Sequence, residues 1–226
     1  MVAMDHGFTY GPIKGLENVS QAIQRLANIK PEAYIVHKGQ IPYIQNIDLY
    51  GAGIIIQLTG NSSICTNMLN KELVCEVEEA LILGADGVAF QLNIGNEFDM
   101  QQVVKLSKVT KECQRYNLPL LVMLYFSKND ETTVCNGIRM CEELGVDFIK
   151  ISAGSDVEAL DRIAKSSQVK ILVAGGEKND NYEDFIARIA DTSIDGVVIG
   201  RNIFQRENNN EILQYTYNQI HKYARK

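Results

Sequence analysis

Short apolar runs alternate with longer amphipathic ones from one end of the chain to the other. The short runs fall at residues 2–6, 33–38, 53–59, 87–93, 120–126, 147–152, 170–174 and 196–199. Each is about four to eight residues long, rich in Val, Ile, Leu or Phe, and bounded by Gly, Asp, Pro or Lys, as a strand covered on both faces should be. The longer runs, at 16–28, 71–83, 100–116, 131–144, 156–165, 182–190 and 208–223, have the mixed polarity of helices packed on one side. The connection after the second strand is short and contains Pro42, which predicts only a brief helix there. Segments 80–87 and 141–147 share one design, in which a helix stops at Gly84 or Gly145 and Asp86 or Asp147 leads into the next strand. A glycine at that point suits the left-handed cap. Asp195-Gly196 enters the eighth strand in the same way.

Eight strands with eight connections predict an α/β fold, a closed parallel (β/α)8 TIM barrel rather than an open doubly wound sheet. No linker, charge block or low-complexity stretch interrupts the series, so residues 1–226 are expected to form a single domain.

A barrel of this kind carries its chemistry at the carboxyl ends of its strands. The polar residues expected there are Asp5 and His6, His37 and Lys38, Gln57 and Thr59, Gln91 and Asn93, Tyr125, Lys150, Gly175-Gly176 and Gly200-Arg201. Lys150 is the most informative. The two-residue period of a strand separates Phe148, Lys150 and Ser152 from Ile149 and Ile151. If the aliphatic pair faces the helices, Lys150 points into the barrel near its top. Desolvation penalises an ammonium there, and the neutral amine it favours is the form that attacks carbonyls. The plainer alternatives are a lysine that reaches out to solvent or pairs with a carboxylate.

Asp5 and Tyr125 belong to the same rim and are candidates for proton transfer. The alternatives are that Asp5 caps the following helix or pairs with Lys38 or Lys150, and that Tyr125 is a core aromatic with a wet tip. The glycines after strands seven and eight let backbone approach an anion, and Arg201 adds a charged fork, as in the phosphate sites of many barrels. Gly175, Gly176, Lys178, Gly200 and Arg201, with His6 and Lys38 on the rim, make up the candidate substrate- and phosphate-binding set.

Composition narrows the remaining classes. Of 226 residues, 46% are hydrophobic and 22% charged, which is enough apolar material for a sizeable core. The net charge is −6 with the two signs interleaved, so nucleic acid is not an expected partner and any phosphate must be bound locally. Five cysteines without CxxC spacing point to free thiols in a reducing compartment. The longest apolar run, residues 119–125, is far short of a membrane span, and the start lacks the features of a signal peptide, so no membrane association and a cytoplasmic location are expected. Three histidines without HxxxH or HExxH spacing leave a metal site only through His6 and His37, and neither metal nor cofactor is expected.

Several motifs recur together in one known family. Met4-Asp5-His6-Gly7 followed by Gly11-Pro12-Ile13-Lys14-Gly15-Leu16 resembles the first strand and loop of the archaeal-type class I aldolases. His37-Lys38-Gly39, Leu92-Asn93-Ile94-Gly95, residues 119–125, Ala174-Gly175-Gly176 and residues 200–205 continue the likeness in order over nearly the whole chain. The resemblance implies that Lys150 forms a Schiff base, that Tyr125 and Asp5 move protons at that centre, and that the glycine loops and Arg201 hold a substrate phosphate. It is strongest to the branch that joins a phosphorylated ketose or dihydroxyacetone phosphate donor to aspartate semialdehyde. Fructose-bisphosphate cleavage, thiolase-like acyl transfer on a phosphorylated diketone, and non-catalytic sugar-phosphate binding are the alternatives within it. It further implies a homo-oligomer, a decamer in some relatives. Because the first strand starts at the second residue, the barrel is expected to lack the family's usual N-terminal extension.

Overall fold

The computed structural model describes residues 1–128, 130–152 and 156–222. Eight parallel strands form one sheet in strict chain order: β1 Val2–Ala3, β2 Ala33–Val36, β3 Gly53–Gln57, β4 Gly87–Ile94, β5 Leu120–Phe126, β6 Phe148–Ile151, β7 Lys170–Ala174 and β8 Gly196–Val198. A parallel bridge between Val2 and Ile199 joins the last strand to the first, and Ala3 N–H donates to the Ile199 carbonyl at 2.8 Å. The sheet is thus a (β/α)8 barrel. Its outer helices are α1 Val19–Leu26, α2 Ile41–Ile44, α3 Val77–Ile82, α4 Asp99–Tyr116, α5 Glu131–Leu144, α6 Val157–Ser166, α7 Tyr182–Ile189 and α8 Asn209–Ile220. Tyr223, to which the last helical run extends in the sequence, lies outside the described residues.

Strand alternation divides the buried residues into two clusters. Leu120, Val122, Leu124, Ile149 and Ile151 join the large cluster beneath the helices. Leu121, Met123 and Tyr125, with Ala3, Ile35, Ala89, Leu172, Val198 and Phe148, fill the barrel itself. The odd-numbered positions of β5 therefore face inward, and Lys150 follows from Phe148 onto the same side.

The repeated Gly-then-Asp design serves a defined purpose. Gly84 and Gly145 both sit at φ +82°, where glycine carries no steric penalty. The aspartate that follows turns back to the preceding strand: Asp86 accepts from Ile54 N–H at 2.8 Å, Asp147 from Leu120 N–H at 2.9 Å and Asp195 from Ile171 N–H at 2.9 Å. Each carboxylate thus fixes the lower rim against its neighbour. Gly15 is more constrained: at φ +81°, a Cβ would stand 1.8 Å from the Phe204 carbonyl oxygen. Because that neighbour is backbone, Gly15→Ala is expected to cost ~2–4 kcal/mol. Thermal unfolding should then show a Tm lower by roughly 4–16 °C.

Three of the differences in extent bear on the mouth of the barrel. The first strand stops at Ala3, because the chain turns after Met4 into a short helix, His6–Tyr10, lying across the mouth. Thr59-Gly60 leaves the barrel and pairs antiparallel with Glu72-Leu73, so the helix expected from residue 71 starts at Val77. The loop between these ribbon strands is pinned by Asn61, whose amide donates to the carbonyls of Asn67 and Asn70, and by Asn93, whose amide donates to the Leu69 carbonyl at 2.9 Å. Lys71 is thereby folded over the barrel instead of opening a helix.

Candidate active site

Lys150 lies on β6 with 8% of its surface exposed. Its Nζ donates to Tyr125 Oη at 3.3 Å, stands 3.6 Å from Met123 Sδ and is 5.7 Å from the Tyr125 ring centre. Register accounts for the meeting, since Lys150 pairs directly with Met123, two residues before Tyr125 on the same inward face. Among the described residues no carboxylate forms an ion pair with Lys150. A buried lysine with no carboxylate partner and a phenol within reach has the surroundings in which a lysine can act as a nucleophile.

Asp5 occupies the N-cap position of the short helix after β1, yet its side chain makes no capping bond. It lies 3.6 Å from His6 Nδ1 and pairs with neither Lys38 nor Lys150. Its charge reaches both histidines of the mouth. Burial pushes His6 below the ordinary imidazole range, Asp5 opposes this, and Lys150 and Arg201 add to it. Burial likewise lowers His37, with Asp5 again opposing and Lys71 reinforcing. The His37 ring stacks against Phe8 with centroids 4.6 Å apart.

These histidines make the fold sensitive to acid. With folded-state values depressed, the unfolded chain takes up protons first as the pH falls below about 6.5. Stability from keeping them neutral is therefore full above that pH and is lost on descent through the folded values. The expected outcome is a Tm that falls as the pH drops from about 6.5 toward 5, with His37→Gln flattening part of that fall. An unchanged slope in that variant would exclude His37 as a source.

The glycine loops are organised by a residue that the sequence did not single out. Asn202, fully buried, donates from its amide to the carbonyls of Gly175 and Glu177 at 2.7 Å and accepts from Asn179 N–H at 2.9 Å. It clamps the loop after β7 to the one after β8. Gly175 donates its amide to the Val198 carbonyl at 3.2 Å, so its N–H belongs to the sheet, whereas Gly176 at φ +71° is exposed. A Cβ on Gly200 would stand 2.5 Å from His6 Cε1, which shows how closely β8 approaches the imidazole. Arg201 holds Glu177 at 3.1 Å, while its buried Nε has no partner.

Two lysines of the candidate set lie away from Lys150, one of them on the glycine loop itself. Lys38 is engaged by both carboxylate oxygens of Glu79, at 2.8 and 2.9 Å, and Lys178 is exposed on the loop after β7. Conversely, Lys71 has 4% of its surface exposed, and Asp5 acts on its charge. Among the described residues, no three His, Cys, Asp or Glu side chains converge as a metal site would require, and no helix is long and apolar enough to cross a membrane.

The comparisons agree with this geometry. The sequence profile described as DeoC/LacD family aldolase matches residues 1–206. The 2-amino-3,7-dideoxy-D-threo-hept-6-ulosonate synthase 1 of Archaeoglobus fulgidus is 32% identical over 213 residues, covering 92% of this chain and 80% of that protein. The 2-amino-4,5-dihydroxy-6-oxo-7-(phosphonooxy)heptanoate synthase of Streptomyces griseus is 28% identical over 214 residues, covering 91% and 78%. In fold, the crystal structure of an archaeal fructose 1,6-bisphosphate aldolase superposes with a TM-score of 0.87 at 22% identity, covering 98% of this chain and 92% of that one. This chain belongs to the DeoC/LacD family of aldolases.

Proposed function

We propose that Lys150 is the Schiff-base lysine of an aldolase or transaldolase that activates a phosphorylated ketose or dihydroxyacetone phosphate and joins it to aspartate semialdehyde. The observation that carries this reading is the buried, unpaired Nζ of Lys150 beside the Tyr125 hydroxyl. The neutral amine adds to the donor carbonyl to give a carbinolamine. Loss of water, with a proton delivered to the departing oxygen, leaves an iminium. The iminium withdraws electrons from the adjacent carbon, so that either a proton leaves it or, in a ketose, the next hydroxyl gives up its proton and an aldehyde departs with the broken C–C bond, and an enamine results. The enamine carbon then attacks the aldehyde, whose oxygen takes up a proton, and water releases the product from Lys150. Tyr125 and Asp5 flank this path on β5 and after β1 and are the groups that carry those protons.

The donor phosphate belongs at the loops after β7 and β8, where the exposed Gly176 leaves room, Arg201 offers an unsatisfied Nε, and His6, packed against Gly200, and Lys178 border the opening. Lys38, occupied by Glu79, has no part in this reading. The choice of acceptor rests on the printed activities of the two synthase relatives. Product analysis tests it: dihydroxyacetone phosphate or a ketose phosphate is offered with aspartate semialdehyde or with glyceraldehyde 3-phosphate, with and without a chelator. Condensation with aspartate semialdehyde at a rate the chelator leaves unchanged is expected. No product with either aldehyde, or turnover that chelation removes, contradicts the proposal.

A further inference from the structure

The mouth of the barrel contains a second cationic pole that the proposed chemistry does not use. It lies across Asp5 from the glycine loops. Lys150 and Arg201 act on His6, Lys71 acts on His37, and Asp5 acts on both imidazoles. Strand order gives the same division, since β1, which leads to Asp5, stands between β8 on one side and β2 and β3 on the other. On the second side Lys71 is 4% exposed and has no hydrogen-bond or ion-pair partner among the described residues. Burial lowers its proton affinity, and only Asp5 counters that. On the same side, where His37 is acted on by both Lys71 and the Gln57 backbone, Gln57 ends β3 on the inward face shared with Ile55, is 2% exposed, and has a side-chain carbonyl with no hydrogen bond.

Buried polar groups are ordinarily satisfied, and an unsatisfied one costs about 1–3 kcal/mol, more when charged. Here the Gln57 carbonyl is such a group, and on the same side of the opening the tip of Lys71 has no protein partner among the described residues. The loop that carries Lys71 is held down by Asn61 and Asn93, so the placement is built and does not depend on a wandering side chain.

We propose that Lys71, with Gln57 and His37, forms a subsite for the anionic end of the aldehyde acceptor, with Lys71 pairing with the anion and Gln57 accepting a hydrogen bond from a hydroxyl or ammonium on the same molecule. This rests on the aldolase reading above and adds the residues that hold the charged end of the second substrate. A carboxylate beside an ammonium and a phosphate beside a hydroxyl both fit that description, and the experiment separates them.

The test measures kcat/KM with dihydroxyacetone phosphate as donor and three acceptors: aspartate semialdehyde, glyceraldehyde 3-phosphate and uncharged glyceraldehyde. The unaltered protein is expected to prefer one of the anionic aldehydes over glyceraldehyde by at least about 10-fold, and whichever it prefers identifies the anion. Lys71→Gln should lose about 10- to 100-fold on that aldehyde, chiefly through KM, while glyceraldehyde changes by less than about 3-fold. Lys71→Arg should recover part of the loss. Gln57→Glu gives Lys71 an internal carboxylate and should reproduce the selective loss without removing the lysine. Borohydride trapping of dihydroxyacetone phosphate on Lys150 should persist in all three variants. Equal loss on all acceptors, or no anionic preference in the unaltered protein, overturns the subsite while leaving the Lys150 adduct intact. Absence of the adduct from the unaltered protein overturns the aldolase reading itself, and the subsite with it.

Discussion

Lys150→Met is expected to lower kcat by about 10³-fold or more, because it removes the covalent nucleophile on which every later step is carried. Methionine keeps most of the length of the side chain and removes its charge. The site is lined by Met123 and the Tyr125 ring, so a thioether packs there without leaving a buried ion. The fold should therefore hold, with a Tm equal to or above that of the unaltered protein. That pairing of lost turnover with kept stability is the informative result. If Lys150 were a structural cation, the variant would be destabilised while some activity remained. Steady-state kinetics and thermal unfolding of one purified variant decide between the two.

Tyr125→Phe is expected to lower kcat by about 10²- to 10⁴-fold, the usual range for removing a positioned acid or base. The ring keeps its place against the barrel interior, and only the hydroxyl 3.3 Å from Lys150 Nζ is lost. The amine remains, so the donor should still become attached to Lys150, but more slowly, because protons must reach the carbinolamine oxygen by another route. Single-turnover trapping at short and long times separates these outcomes. A full yield of adduct at a reduced rate assigns Tyr125 to proton transfer. A yield that never recovers would mean that the hydroxyl is needed to hold the amine itself.

Much of this centre is legible in the sequence because a strand's two-residue period says which side chains share a face. Phe148 and Lys150 on β6, and Leu121, Met123 and Tyr125 on β5, sort from their neighbours by alternation alone, and the structure puts both sets inside the barrel. The Gly-then-Asp joins are legible for a similar reason, since left-handed caps and short carboxylates are local devices. What alternation does not reach is the loop. Lys38 looks like a rim cation because it follows a strand, but β2 ends at Val36, His37 faces the mouth, and the next turn carries Lys38 to Glu79. Lys71 reads as the start of a helix because an amphipathic run follows it. Its inward position depends on hydrogen bonds from Asn61 and Asn93, one of them on another strand, and no short window of sequence contains that information. Asn202 is hidden in the same way, since its partners lie some 25 residues away on the neighbouring loop.

The presence of two buried lysines at one opening makes the attachment site the most direct question. The protein is incubated with dihydroxyacetone phosphate, reduced with borohydride, digested and mapped by mass spectrometry. One donor-derived adduct per chain, on Lys150, is predicted, and it should disappear in Lys150→Met while remaining in Lys71→Gln. An adduct on Lys71, or none under conditions in which the protein turns over, would contradict the account.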